Sequence, residues 1–239
     1  MPEKAWMEEI VPGLFLGNIA SSYNKELLQN NKITAIVSLT SRYLLFWDTA
    51  TKDAGITPER HMWAQVQDAK WEDLLSLMKD ICDFIDSVAP PQLSSLTALP
   101  VPVPLAEGVV EEVAGSSEPI IPPPHAVLIH CVCGVSRSST IIAAYLMRKL
   151  QMERDAVLQF VKSRKGHIRP NSGFFSQLKL WHESKYTGWE NKESPFRVFE
   201  GDAVPSRLGI GLEPYGMLEI GSGVGICFQR PKSSPREQS

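Results

Sequence analysis

The stretch HCVCGVSRSST, His130 to Thr140, sets a thiol and a guanidinium, Cys131 and Arg137, at the two ends of a short loop. Just before it, Ala126 to Ile129 is a short apolar run that reads as a buried strand. Just after it, IIAAYLMRKL places Ile141, Tyr145, Leu146 and Met147 on a helical apolar face. Strand, tight loop and helix aim a row of backbone N–H groups and the positive end of a helix at one spot, a geometry that binds a dianionic phosphate. In that field a thiol is drawn toward the thiolate, which is the nucleophilic form. Arg137 can fork two N–H groups onto two phosphate oxygens, which lysine cannot do. Gly134 falls where the backbone must turn tightly against the ligand. Ser138 can donate a hydrogen bond to the sulfur and ease its departure. Val132, Cys133, Gly134, Val135, Ser136 and Arg137 would supply the N–H groups. An inert buried Cys and Arg in an ordinary turn would also give these residue types. The joint agreement of types, spacing and flanks favours the chemical reading.

This stretch resembles the H-C-x-x-G-x-x-R-[ST] loop of cysteine-dependent phosphatases, and its S-R-S continuation is most similar to the dual-specificity branch. Two other stretches carry the same likeness. EEIVPGLFLGNIASS, with NNKITAIVSLTSR after it, resembles the opening of dual-specificity domains, and RPNSGFFSQLKLW resembles their R-P-N-x-x-F-x-x-Q-L close. The chain thus looks like an atypical dual-specificity protein phosphatase of the cysteine-dependent protein tyrosine phosphatase superfamily. The resemblance implies an α/β fold: a central, mostly parallel sheet flanked by helices, with the site at the carboxyl end of the nucleophile strand. Open α/β sheets place ligands there.

The resemblance also implies roles. Cys131 attacks phosphorus and forms a phosphocysteine, and Arg137 holds the oxygens. An aspartate in the loop after the third strand is the general acid, and Asp68 matches that placement. Asp73 is its rival, about one turn into the helical pattern, and a helix N-cap is the competing role for Asp68. His130 orients the loop, and Ser138 stabilises the departing thiolate. No metal and no organic cofactor is implied. The loop's variable residues carry no Lys or Arg, whereas phosphoinositide phosphatases with a similar loop place basic residues there. Proteins bearing phosphotyrosine and phosphoserine or phosphothreonine are therefore the expected substrates. The alternatives are a phosphate-binding pseudophosphatase or adaptor, and a lipid or RNA phosphatase.

Stepping along the chain, Val11-Pro12-Gly13 predicts a turn and Leu14-Phe15-Leu16 a short strand. Ser21 or Ser22 could cap a helix through Leu27 and Leu28. The β-branched run Ile33 to Leu39 predicts a central strand. A polar loop, Arg42 to Pro58, carries the exposed-looking aromatics Tyr43, Phe46 and Trp47. His61 to Val66 predicts a third strand. Leu74, Leu75, Met78, Ile81, Cys82 and Ile85 recur at helical spacing. Beyond the loop helix, Glu153 to Lys162 and Phe175 to His182 predict two more helices, with Asn171 capping the last and bracing the phosphate loop. Phe174, Leu178 and Trp181 are expected in the core.

Ala89 to Pro124 breaks the pattern, holding half of the chain's 18 prolines and only acidic charges. It predicts a disordered, Pro-rich insertion (89–124) inside a phosphatase domain spanning 8–188, with PxxP-like spacings that could meet an SH3 or WW module. The tail, 189–239, predicts a disordered, Gly-rich segment. Its MLEIGSGVG has too little chain after it to complete a nucleotide-binding unit. The net charge of −3 carries no nucleic-acid or membrane footprint. No apolar run reaches the ~18 residues a membrane span needs. Cys82, Cys131, Cys133 and Cys227 suit a reducing compartment, cytoplasmic or nuclear, better than a disulfide framework.

Overall fold

The computed structural model describes residues 4–100 and 125–187, together with the backbone of Ile226–Cys227. Five strands make the body of the sheet: β1 (Met7–Val11), β2 (Leu14–Gly17), β3 (Ile33–Thr40), β4 (His61–Gln65) and β5 (Ala126–His130). Their order is β1-β2-β5-β3-β4, with Ile226–Cys227 antiparallel to β4 at that edge. β1 and β2 form an antiparallel hairpin through Gly13, whose φ of 80° suits glycine. The remaining pairings, β2 with β5, β5 with β3 and β3 with β4, are parallel. Strand β5 is thus flanked on both sides, and all five of its residues are buried.

The two faces of the sheet read off the alternation of side chains. Ala35, Val37, Leu39, Met62, Ala64, Val127 and Ile129 point into the larger core. That core is closed by α3 (Leu75–Val88), α5 (Arg137–Leu150), α6 (Arg154–Arg164) and α7 (Ser172–Glu183). Phe174, Leu178 and Trp181 lie in it with no exposed surface, as expected. Phe15, Ile36 and Leu128 point the other way into a smaller cluster. Helices α1 (Lys25–Asn30) and α2 (Trp47–Asp53) lie between β2 and β4 in the chain.

Several expectations are corrected. Neither Ser21 nor Ser22 caps α1. Asn24 does, accepting the Leu27 N–H at 2.9 Å, while the serines sit in a preceding 3-10 turn, Ile19–Tyr23, capped by Asn18. The loop after β3 contains α2, and Trp47 is fully buried, its Nε1–H donating to Ser22 Oγ at 2.8 Å. Indole amphipathicity explains the error: a polar sequence context hid an aromatic whose one polar atom finds a partner. The segment from Ala89 also departs from expectation. Its first part, through Pro100, is folded on the domain: α4 (Pro91–Ser94) opens on Pro91, and Leu93 is completely buried. Pro at a helix's first position needs no N–H partner, so the prolines here start a helix instead of preventing one. Residues 101–124, with the PxxP-like spacings from Pro102 onward, lie outside the described residues. So does the tail, the Ile226–Cys227 backbone aside.

Candidate active site

Strand β5 ends at His130, and α5 begins at Arg137. Ser136 precedes α5 and makes no side-chain cap, so the first N–H groups of the helix face the loop. The loop closes on the sulfur. Cys131 Sγ accepts the Gly134 N–H at 3.2 Å and the Ser138 hydroxyl at 3.3 Å, and the residue is 1% exposed. Gly134 has φ 69°, and a Cβ there would lie 2.5 Å from the Trp6 ring and 2.7 Å from the Gly17 carbonyl. Only glycine meets both demands. Val132 is anchored from outside by Ile19, whose N–H donates to its carbonyl at 3.0 Å, and Val135 by Arg169, whose N–H donates at 2.8 Å.

Arg137 is buried, and its Nη1 donates to the Val66 carbonyl at 3.2 Å at the end of β4. Its Nε lies 3.7 Å from Asp68 Oδ2, an ion-pair distance longer than a hydrogen bond, and is buried without a hydrogen-bond partner among the described residues. A buried guanidinium donor so placed can give a hydrogen bond to a phosphoryl oxygen.

Asp68 lies in the segment between β4 and α3. It does not cap a helix. Oδ1 accepts from Ser136 Oγ at 2.7 Å and from Asn171 Nδ2 at 2.9 Å, so Asp68 joins the loop to the start of α7. Asn171 serves twice, since its Oδ1 also caps α7 by accepting the Phe174 N–H at 3.0 Å. Asp73, two residues before α3, accepts the Ser76 N–H at 3.1 Å in the first turn of that helix.

Gln177 is a residue that sequence reasoning left inside a motif without a role. It is fully buried in α7, accepts the Leu74 and Leu75 N–H groups at 2.8 and 2.7 Å, and donates to the Glu72 carbonyl at 2.8 Å. It therefore pins the segment that follows Asp68. A polar residue at a helix position otherwise facing the core was the available signal. On the opposite side, His130 is completely buried, with Nε2 2.6 Å from Ser38 Oγ and Nδ1 3.3 Å from the Cys131 carbonyl. Burial pushes its pKa down to about 3, so the ring is neutral. Among the described residues no cluster of His, Cys, Asp and Glu could hold a metal ion.

The structure thus brings Cys131, Arg137, Ser138, His130, Asp68 and the loop backbone from Val132 to Ser136 to one point at the carboxyl end of the sheet. Comparison with known proteins bears on this arrangement. The family profile described as dual specificity phosphatase, catalytic domain, matches residues 122–184. The chain is 28% identical over 200 residues to human dual specificity protein phosphatase 5, covering 84% of this chain and 41% of that protein. It is 31% identical over 177 residues to the rat protein of the same name, covering 74% and 35%. The chain thus spans well under half the length of these relatives. Among solved structures, that of DUSP15 superposes with a TM-score of 0.55 over 76% of this chain and 90% of the other, at 24% identity, a likeness of fold.

Proposed function

The chain belongs to the dual-specificity phosphatase family, and from that premise we propose that it hydrolyses phosphotyrosine and phosphoserine or phosphothreonine in proteins through a phosphocysteine. One observation carries the reading: a sulfur held by two donors beside an arginine whose buried Nε has no hydrogen-bond partner among the described residues.

In the first step Cys131 Sγ attacks phosphorus in line, the P–O bond to the leaving group breaks, and Asp68 gives its proton to that oxygen. Oδ1 is taken up by Ser136 and Asn171, so Oδ2 is the oxygen that carries the proton. Arg137 and the loop N–H groups take the phosphoryl oxygens as charge spreads over them. In the second step Asp68 accepts a proton from water, the water oxygen bonds to phosphorus, and the S–P bond breaks. Ser138, 3.3 Å from the sulfur, stabilises the departing thiolate. Trp71, half exposed and three residues from Asp68, and Val132 in the loop itself are apolar, which suits a peptide side chain better than the extra phosphates of an inositol ring or a triphosphate end.

Turnover of a small aryl phosphate tests the reading. Wild-type protein should hydrolyse it, and Cys131→Ser should keep phosphate binding while losing at least about two decades of rate. Phosphate binding without turnover in the wild type would instead identify a phosphate-binding adaptor.

A further inference from the structure

We infer that His61 and Ser38 are positioning residues for the nucleophile: with His130 they form a directed hydrogen-bond chain across three strands that ends on the Cys131 carbonyl. The inference rests on the reading of Cys131 as nucleophile.

The three side chains share one face of the sheet. Ser38 in β3 is the register partner of His130 in β5. His61 in β4 is the partner of Ile36, two residues before Ser38 and so on the same face. Ser38 Oγ lies 2.6 Å from His130 Nε2 and 2.8 Å from His61 Nε2. The direction of each bond follows by elimination. His130 Nδ1 faces the Cys131 carbonyl at 3.3 Å, and a carbonyl only accepts, so Nδ1 carries the hydrogen. A neutral ring then leaves Nε2 bare, and Ser38 must donate its single O–H there. Having spent that hydrogen, Ser38 Oγ can only accept from His61, which carries its hydrogen on Nε2.

Both rings stay neutral while this holds. Burial lowers His61 to about 4 against the opposing pull of Asp48. Burial lowers His130 to about 3 against its bond to Cys131, with His61 and Arg137 adding to the lowering. The groups facing the pair are Tyr43, Trp47 and Asp48 from the β3–α2 segment, Ser38 from β3 and Arg137 from α5. Trp47 lies edge-on to both imidazoles, with centroids at 5.3 and 5.6 Å, and packs against each ring.

The chain's product is an orientation. In a trans peptide the C=O and the next N–H point in opposite directions. Fixing the Cys131 carbonyl on His130 therefore fixes the Val132 N–H in the opposite direction, where it can meet an oxygen of a phosphoryl group. Each link polarises the next, so the far donor, His61, is felt at the near end.

The test compares His61→Leu, which removes the donor, with His61→Gln, whose amide nitrogen reaches the position of Nε2 and still donates. The readouts are kcat and KM on an aryl phosphate and the pH dependence of Cys131 alkylation by iodoacetamide. His61→Leu should lower kcat about five- to tenfold with KM within about twofold, and move the alkylation curve to higher pH. His61→Gln should keep at least about half of wild-type kcat and the wild-type alkylation curve. Wild-type behaviour of His61→Leu in both readouts, or equal losses in the two variants, overturns the proposal. If His61→Leu does not fold, Ser38→Ala against Ser38→Thr makes the same comparison at the middle link. A wild type that fails to turn over aryl phosphate refutes the phosphatase reading, and alkylation then still decides whether His61 acts on Cys131.

Discussion

Lowering the pH from about 7.5 to about 5 should cost the domain roughly 4 kcal/mol through His61 and His130 alone. In the unfolded chain an imidazole titrates near ~6.5. In the fold burial holds His61 at about 4 and His130 at about 3. Both folded values lie below the unfolded one, so between them the unfolded state binds more protons and stability falls as pH falls. The loss begins near the unfolded value and continues until each folded group itself protonates. At a pH of about 5 nearly all of the unfolded imidazole and little of either folded one is charged, which amounts to about 2 kcal/mol per ring. Against a typical total of about 5–15 kcal/mol, that is a large fraction. Urea unfolding at several pH values measures it, and His61→Gln isolates one ring, because glutamine keeps the donor but does not titrate. The difference in stability between the two pH values should shrink in His61→Gln by about 2 kcal/mol, while carboxylate contributions cancel in the comparison. An acid dependence equal in wild type and His61→Gln would refute the assignment of a neutral, desolvated imidazole at position 61.

Arg137→Lys should lose about two decades or more of kcat/KM on an aryl phosphate, since charge is kept but the planar fork is not. Asp68→Asn should slow alkyl phosphates strongly and activated aryl phosphates little, and equal losses would show that Asp68 only holds the loop. Gly134→Ala should abolish turnover, because the added methyl meets the Trp6 ring and the Gly17 carbonyl at a positive φ; circular dichroism separates this from unfolding. Leu93→Ala should cost about 2–5 kcal/mol in denaturant unfolding because its side chain is fully buried, whereas a short Gly-containing turn in place of residues 101–124 should leave aryl phosphate turnover within about twofold.

Much of the site was legible because its chemistry is local. Cys131, Gly134, Arg137 and Ser138 fall within one loop, and a strand before and a helix after fix their relative places whatever surrounds them. Asp68 was legible only as a resemblance, because a lone aspartate ahead of a helix reads equally as a cap, and in the structure it is Asp73 that accepts an N–H in the first turn of α3. The contacts that Asp68 makes with Ser136 and Asn171 join residues far apart in the chain, and no local pattern announces them. His61 was passed over for the same reason. At the start of a strand an isolated histidine carries no signal, and its meaning comes from the register that sets Ser38 between two rings. Trp47 and Leu93 were misplaced because polar or Pro-rich surroundings outweighed single apolar residues whose burial is decided by tertiary contacts.

The contacts of Asp68 also bear on what residues 101–124 can change. Asp68 belongs to the half of the domain before residues 101–124, and Cys131 to the half after them. Asp68 is tied directly to Ser136 in the nucleophile loop and to Asn171 at the head of α7, and the segment after it is tied to Gln177. Arg137 closes the tie in the other direction on Val66. The start of α4 and the residue that precedes β5 attach elsewhere. Pro90, at the start of α4, packs near Gly13, and a Cβ on Gly13 would lie 2.5 Å from its ring and 3.5 Å from the His125 carbonyl. That is the amino end of β5, and the sulfur is at its carboxyl end, a strand's length of about 16 Å away. Length or composition between the two attachment points can therefore change without moving the acid relative to the thiol, provided that α4 stays seated on the domain.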